Sequence, residues 1–131
     1  MDAAGRHPHF VSPVFWHASL TEALAEARAS SRPVLLVVGR QSCGGSRALV
    51  EKTISKDEIN EYVAAHYVCM AADADAPEPA VAALVARMAQ HDRTPLCLYL
   101  SPEGELMHST SGGRPPAVFL SDLLEAPHGR R

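Results

Sequence analysis

Cys43 is the residue of this chain best placed to do chemistry. It follows the apolar run Val34–Val38 after a short loop, and we expect a helix to begin immediately after it, at Gly44 or the next residue. A thiol at a helix N-terminus faces unpaired backbone N–H groups, which favour the thiolate and lower the pKa of the cysteine. Arg40 and Arg47 add positive charge nearby. Such a thiolate can attack a disulfide and form a mixed disulfide.

Ser46, three residues after Cys43, carries no thiol that could resolve such a mixed disulfide. A serine hydroxyl can only hydrogen-bond the Cys43 sulfur, so the sequence Cys43-Gly44-Gly45-Ser46 supports one thiol and no dithiol cycle. Release of a bound partner would then need an external thiol such as glutathione as co-substrate, and no other cofactor is predicted. The competing interpretation is that Cys43 is chemically idle and that the chain is a binding module.

The other two cysteines, Cys69 and Cys97, fall in apolar runs that we predict to be strands. Free cysteine is commonly a small core residue. The odd total of three cysteines argues against a disulfide-stapled secreted scaffold.

Composition and charge exclude several other classes of protein. A length of 131 residues predicts one domain, and a formal net charge of −3 argues against nucleic-acid binding. The seven histidines lack the spacing of metal ligands, so no metal site is predicted. No apolar run approaches the ~18 residues of a membrane span, and no signal-peptide core follows Met1, so we expect no membrane insertion and a cytoplasmic location. The oligomeric state is left open.

Hydrophobic periodicity and turn residues predict the order α-β-α-β-α-β-β-α. The predicted strands are Val34–Val38, Tyr67–Ala72, Leu96–Leu100 and Leu106–Thr110. The predicted helices run from about Leu20 to Ala29, from Gly44 or Gly45 through Val50, from the capping box Ser55-Lys56-Asp57-Glu58, from Pro79, and over Ala117–Glu125. The helix that begins at Pro79 has Val81, Leu84, Val85 and Met88 on its buried side. A strand-helix-strand unit is right-handed and parallel, and the last two strands form an antiparallel hairpin. The predicted fold class is α/β, with a mixed four-stranded sheet and helices on both faces.

This order resembles the thioredoxin superfamily, and several local features strengthen the resemblance. Cys43–Ser46 stands where the superfamily has Cys-x-x-Cys, Thr94-Pro95 where it has a cis-proline, Asp73 where its second strand ends, and Ser101–Glu105 where its hairpin turns. The lead-in Ala23–Leu36 is similar to that of thioredoxin-like domains found in many bacterial proteins. The resemblance covers about residues 15 to 125.

The departures from the family pattern fall at its reactive positions. Ser46 replaces the second cysteine, Ser42 the tryptophan before the first, Val37 the buried acid, and Gly45 the proline. The resemblance therefore implies Cys43 and Ser46 as the catalytic positions but disfavours a dithiol reductase.

The resemblance also implies where a partner would bind. In the family, a cis X-Pro bond exposes the backbone of the preceding residue, so that a client peptide can pair with it as an added strand. We carry this role to Thr94 and Pro95, with Gly44 and Gly45 completing the substrate-binding surface. The family's strand order places the first strand between those of Cys69 and Cys97, which is too far for a disulfide between them.

Two functional hypotheses follow. The first is a thioredoxin-like protein that recognises a protein partner bearing a thiol or disulfide through Cys43, with at most monothiol, glutathione-dependent exchange, disulfide isomerase-like activity or mixed-disulfide trapping. The alternative is a redox-inert adaptor or subunit acting in protein assembly. We expect residues 1–14 to be a flexible segment, 15–126 the domain with Trp16 packed at its edge, and 127–131 a tail.

Overall fold

The computed structural model describes residues 15–40, 48–54, 56–88 and 93–128 of the chain. The predicted start of a helix at Gly44 or Gly45, the N-terminal segment 1–14 and most of the tail lie outside the described residues.

Four strands form one mixed sheet, as the order of apolar runs predicts. They are β1 (Val34–Gly39), β2 (Val68–Asp73), β3 (Leu96–Leu100) and β4 (Leu106–Ser111). The order across the sheet is β2-β1-β3-β4. β1 pairs parallel with β2 and antiparallel with β3, and β3 pairs antiparallel with β4.

Helices cover both faces of the sheet. The α-helices in the described part of the chain are α1 (Leu20–Ser30), α2 (Asp57–His66), α3 (Pro79–Val85) and α4 (Pro116–Glu125). A π-helical turn, Leu49–Thr53, precedes α2, and a 3-10 turn, Ala126–His128, continues α4. The thioredoxin-like α/β prediction is confirmed.

The sheet has an apolar core on each face. All six residues of the central strand β1 are buried, because their side chains point alternately into the two cores. The first core layer lies between the sheet and the helices α2 and α4. The second lies between the sheet and the helices α1 and α3. Side chains alternate along each strand, so Leu35 and Val37 belong to the first layer, and Val34, Leu36 and Val38 belong to the second.

The segment before α1 docks on the outer edge of β2. The His17 N–H donates to the Cys69 carbonyl at 2.9 Å, and the Ala71 N–H donates to the His17 carbonyl at 3.0 Å. Trp16 is fully buried in the first core layer. This tryptophan therefore lies deeper than the domain-edge position that the sequence predicts, because the backbone pairing of His17 fixes it over the sheet.

The predicted capping box of α2 depends on Ser55, which lies outside the described residues. The helix begins at Asp57, with Lys56 as its N-cap and no side-chain hydrogen bond from that cap. Asp57 and Glu58 instead place two carboxylates in the first turn, where they favourably oppose the helix dipole.

The helix α3 is shorter than its apolar stripe predicts. It ends at Val85, and the Met88 N–H donates to the Val85 carbonyl at 2.9 Å in a tighter turn. Met88 is nevertheless buried in the second core layer. The periodicity therefore located the buried residues correctly but placed the helix end too far along the chain.

Candidate functional site

The end of β1 and the start of β3 meet at one end of the sheet, because these two strands run antiparallel. Val38 pairs with Leu96, so Arg40, which follows β1, lies near Thr94 and Pro95, which precede β3. The chain enters the loop containing Cys43 directly after Arg40. We call Arg40, Thr94, Pro95 and Gly112 the site end of the sheet.

The Thr94–Pro95 peptide bond at the site end is cis. Gly112, which follows β4, holds this segment with one N–H that donates to the Arg93 carbonyl at 2.9 Å and to the Pro95 carbonyl at 3.0 Å. Gly112 has a φ of 82°, a conformation that side chains with a Cβ disfavour. Sequence reasoning missed Gly112, although the pair Gly112-Gly113 directly after a predicted strand was an available signal.

Arg40 connects three segments at the site end. Its Nε donates to Asp75 Oδ1 at 2.8 Å, and its Nη1 donates to Thr94 Oγ1 at 3.5 Å. Asp75 is held in turn, because its N–H donates to Asp73 Oδ1 at 2.8 Å. The guanidinium thus links the end of β1, the loop after β2 and the residue before the cis-proline. Sequence reasoning named Arg40 as a source of positive charge but missed Asp75, which partly neutralises it.

A pocket of about 330 Å³ opens beside Arg40 on the α3 side of the sheet. Val38 and Leu96 line it from the strands, and small residues such as Ala82 and Ala86 line it from α3 and the turn after it. The short side chains leave a mainly apolar hollow with one guanidinium on its wall. Its volume lies at the lower end of the range of ligand pockets, and its lining is mainly apolar, as such pockets usually are.

Cys69 and Cys97 are free, buried thiols within the first core layer. Cys69 pairs with Leu35 and Cys97 pairs with Val37, so β1 lies between the two cysteines as expected. Burial raises the pKa of Cys97 to about 12 and also raises the pKa of Cys69 above its ordinary value. Both thiols are therefore protonated at neutral pH and are core residues.

The four predicted positions Cys43, Gly44, Gly45 and Ser46 lie outside the described residues. Their roles remain predictions. Of the predicted site residues, Thr94 and Pro95 are described, and they lie together at the site end. Among the described residues, no cluster of side chains could hold a metal ion, and no helix is long and apolar enough to cross a membrane.

Comparison with known proteins identifies the family. The sequence profile of the family described as thioredoxin-like matches residues 15–102. The chain therefore belongs to the thioredoxin-like family. The search of curated proteins found no match.

Solved structures with the same fold include redox proteins. A thioredoxin from Thermus thermophilus is 26% identical, with a TM-score of 0.70 over 85% of this chain and 85% of that chain. A disulphide isomerase from Xylella fastidiosa Temecula1 is 22% identical, with a TM-score of 0.68 over 88% of this chain and 98% of that chain. A DsbH oxidoreductase is 15% identical, with a TM-score of 0.70 over 96% of this chain and 92% of that chain.

Proposed function

We propose that this chain recognises a partner protein bearing a thiol or disulfide, through a single reactive thiol at Cys43. The observation that carries the proposal is the link between Arg40 and Thr94 at the site end. Arg40 is the last described residue before the Cys43 loop, and Thr94 precedes the cis-proline. The hydrogen bond between Arg40 and Thr94 therefore joins the start of the Cys43 loop to the segment that binds peptides in the family.

The chemistry proposed for Cys43 is thiol–disulfide exchange. The Cys43 thiolate attacks one sulfur of a partner disulfide, a new S–S bond forms, and the other partner sulfur leaves as a thiolate. With Ser46 in place of a resolving thiol, the mixed disulfide persists until an external thiol such as glutathione attacks it. The reaction is then monothiol exchange or trapping of the partner.

Two features of the site end would bind the partner's polypeptide. The backbone at Thr94 would pair with an extended segment, as resemblance to the family implies. The pocket beside Arg40 would take an apolar side chain of that segment, since its walls are mostly alanine, valine and leucine. The partner would therefore present an extended, partly apolar stretch near its reactive sulfur.

The test is the pKa of Cys43 together with its rate of mixed-disulfide formation with glutathione disulfide. Because Cys69 and Cys97 are buried with raised pKa values, thiol modification of the folded protein near pH 7 reports on Cys43. We expect a Cys43 pKa well below that of free cysteine and rapid exchange, which Cys43→Ser abolishes. An ordinary pKa with no exchange above the rate of free cysteine contradicts the proposal.

The Ser46→Cys variant tests whether the site lacks only its second thiol. We expect this variant to acquire disulfide-reductase activity that the wild-type chain lacks. Ser42→Cys, which adds a thiol on the other side of Cys43, is the matched control and should not acquire the same activity.

The Arg40–Asp75 pair favours a second candidate function. Asp75 partly neutralises the charge that would activate Cys43, with a separation of 2.8 Å between Nε and Oδ1. In this alternative the chain is a redox-inert adaptor or subunit in protein assembly, and the site end binds a partner without covalent chemistry. Partner binding that survives Cys43→Ser but is lost when the pocket is filled by Ala82→Phe would favour the adaptor.

A further inference from the structure

The loop Gly112–Pro115 joins β4 to α4, and it is held at both ends. At its start, the Gly112 N–H donates to the Arg93 carbonyl at 2.9 Å and to the Pro95 carbonyl at 3.0 Å. At its end, Pro115 is the N-cap of α4. The loop therefore connects the cis-proline segment to a helix that packs on the first core layer.

Arg114 anchors this loop to α4. Its Nε donates to Asp122 Oδ2 at 2.9 Å, and its Nη2 donates to Asp122 Oδ1 at 3.0 Å. Two hydrogen bonds between one guanidinium and one carboxylate fix their relative orientation as well as their distance. The side chain of Asp122 is only 11% exposed, and the next residue, Leu123, is fully buried in the first core layer. The packed core thus sets the position of Asp122, and Asp122 sets the position of Arg114.

The energetics of the Arg114–Asp122 pair favour a geometric role over a stabilising one. Among the residues whose burial the structure describes, Asp122 is the one buried carboxylate. Removing charges from water costs free energy that their mutual attraction roughly offsets, so apolar side chains of comparable size often stabilise a fold as well as a buried ion pair does. The pair supplies a defined direction for the loop, which apolar contacts do not.

We infer that Arg114 and Asp122 are positioning residues for partner recognition. Through the loop, they keep the Gly112 N–H on the two carbonyls that flank Thr94. The backbone of Thr94 is the segment that would pair with an extended peptide, so this inference rests on the proposed function. Without the pair, the loop gains freedom and the backbone at Thr94 is held less firmly for a partner.

Hydrogen exchange of the Gly112 amide measures the positioning directly. The double variant Arg114→Met/Asp122→Leu replaces the pair by apolar side chains, so urea unfolding should show little change in stability. Its Gly112 amide should nevertheless exchange about tenfold faster than in the wild-type chain. The Ala71 amide, which donates to the His17 carbonyl at 3.0 Å, should keep its rate. Arg114→Lys keeps the charge but loses the planar fork, and this milder variant should show the same effect more weakly.

Two disulfide probes with the same leaving group measure the effect on recognition. One is an extended peptide with valine and leucine beside a cysteine activated as its pyridyl disulfide, and the other is dipyridyl disulfide, which has no peptide backbone. In each reaction the Cys43 thiolate attacks one sulfur, a new S–S bond forms, and pyridine thiolate leaves. We expect the double variant to raise the half-saturating peptide concentration about tenfold at an unchanged limiting rate. Its reaction with dipyridyl disulfide should be unchanged. Arg32→Ala, which removes a paired arginine before β1, is the matched control and should change neither reaction.

The outcomes separate this inference from the proposed function. A Gly112 amide that exchanges at the wild-type rate in the folded variants overturns the inference, as does an unchanged half-saturating peptide concentration. Equal slowing of both probes also overturns it, because the effect would then lie at Cys43 and not in partner recognition. A wild-type chain whose Cys43 reacts with neither probe overturns the proposed function, while hydrogen exchange still decides whether the pair holds Gly112.

Discussion

Arg32 and Arg40 lie at opposite ends of β1, and their surroundings differ. The Arg32 guanidinium donates to the Ala64 carbonyl at 2.9 Å, the Tyr67 carbonyl at 3.1 Å and Glu26 Oε2 at 3.0 Å. Among the described residues, Arg40 bonds the side chains of Asp75 and Thr94. Arg32 thus satisfies backbone carbonyls at the end of α2, while Arg40 orients loops at the site end.

The difference separates contacts that stabilise the fold from contacts at the proposed site. Glu26, the carboxylate partner of Arg32, also bonds His17 Nε2 at 2.5 Å. The Arg32 end therefore joins α1, α2 and the segment docked on β2. Among the described residues, the Arg40 side chain bonds loop residues and no helix terminus.

Among the substitutions, Arg32→Ala has the largest expected effect on stability. It removes charge-assisted hydrogen bonds to an exposed carbonyl, that of Ala64, and to a partly buried one, that of Tyr67. We expect a loss of about 2 kcal/mol in the free energy of unfolding. Urea unfolding measures the loss, and the rate of Cys43 modification in the folded protein should be unchanged. A loss below about 0.5 kcal/mol would place Arg32 among ordinary surface charges and remove the contrast with Arg40.

Gly112→Ala should destabilise the site end through the backbone. Its φ of 82° is costly for residues with a Cβ, by roughly 1–2 kcal/mol. Gly113→Ala is the matched control, because a Cβ there meets no atom within 4 Å and its φ lies outside the left-handed range. Urea unfolding of the two variants should show a loss only for Gly112→Ala. Equal losses would mean that chain flexibility rather than the Gly112 conformation is responsible.

Alkaline pH should destabilise the folded protein through the two buried thiols of the first core layer. Burial raises the pKa of Cys97 to about 12 and raises that of Cys69 above its ordinary value, whereas unfolded thiols titrate normally. The unfolded state therefore binds fewer protons above about pH 9, and each thiol lowers stability by up to about 1.4 kcal/mol per pH unit until its folded pKa is reached. Below the pKa of the unfolded thiols, both states keep these protons, so the thiols cause no loss of stability there.

Urea unfolding at several pH values, with reductant present, measures this dependence. Cys97→Ala should have a shallower loss of stability above pH 9 than the wild-type chain, since one raised pKa is removed. The same slope in both proteins would show that the Cys97 thiol is solvated. Comparing slopes also separates the thiols from Tyr67 and Tyr99, whose pKa values burial also raises.

Arg40 should have the smallest effect on stability and a measurable effect on Cys43. Its partner Asp75 is 64% exposed, so Arg40→Ala should cost less than about 0.5 kcal/mol. Under the proposed function, Arg40→Ala raises the pKa of Cys43 by removing a cation, and Asp75→Asn lowers it by removing an anion. The pH dependence of Cys43 alkylation measures both. Shifts in the same direction would mean that the pair acts by shaping the loop.

The sequence predicts much of the fold because the relevant signals are local. Apolar runs identify the four strands to within about a residue, and Pro79 marks the start of α3. Helix ends are less predictable, as α3 illustrates: the turn that ends it keeps Met88 buried, so the apolar pattern continues past the helix. The burial of Cys69 and Cys97 also follows from their place in apolar runs.

The site end is less predictable because its contacts join distant parts of the chain. Arg40 meets Asp75 and Thr94 across 35 and 54 residues, and no local pattern reports such a pairing. The φ of Gly112 depends on where the chain must turn after β4 to meet Arg93. The family resemblance predicts Thr94 and Pro95 as site residues, whereas Asp75 and Gly112 are recognised only from the three-dimensional structure.

Trp16 is the chain's one tryptophan, and its complete burial makes it an optical reporter. Indole emission shifts to longer wavelength when the ring moves from an apolar environment into water. Detachment of the segment that carries His17 from β2 would therefore change the fluorescence of a single known residue. Stopped-flow fluorescence would follow this local opening without any added label, and comparison with far-ultraviolet dichroism would distinguish it from global unfolding.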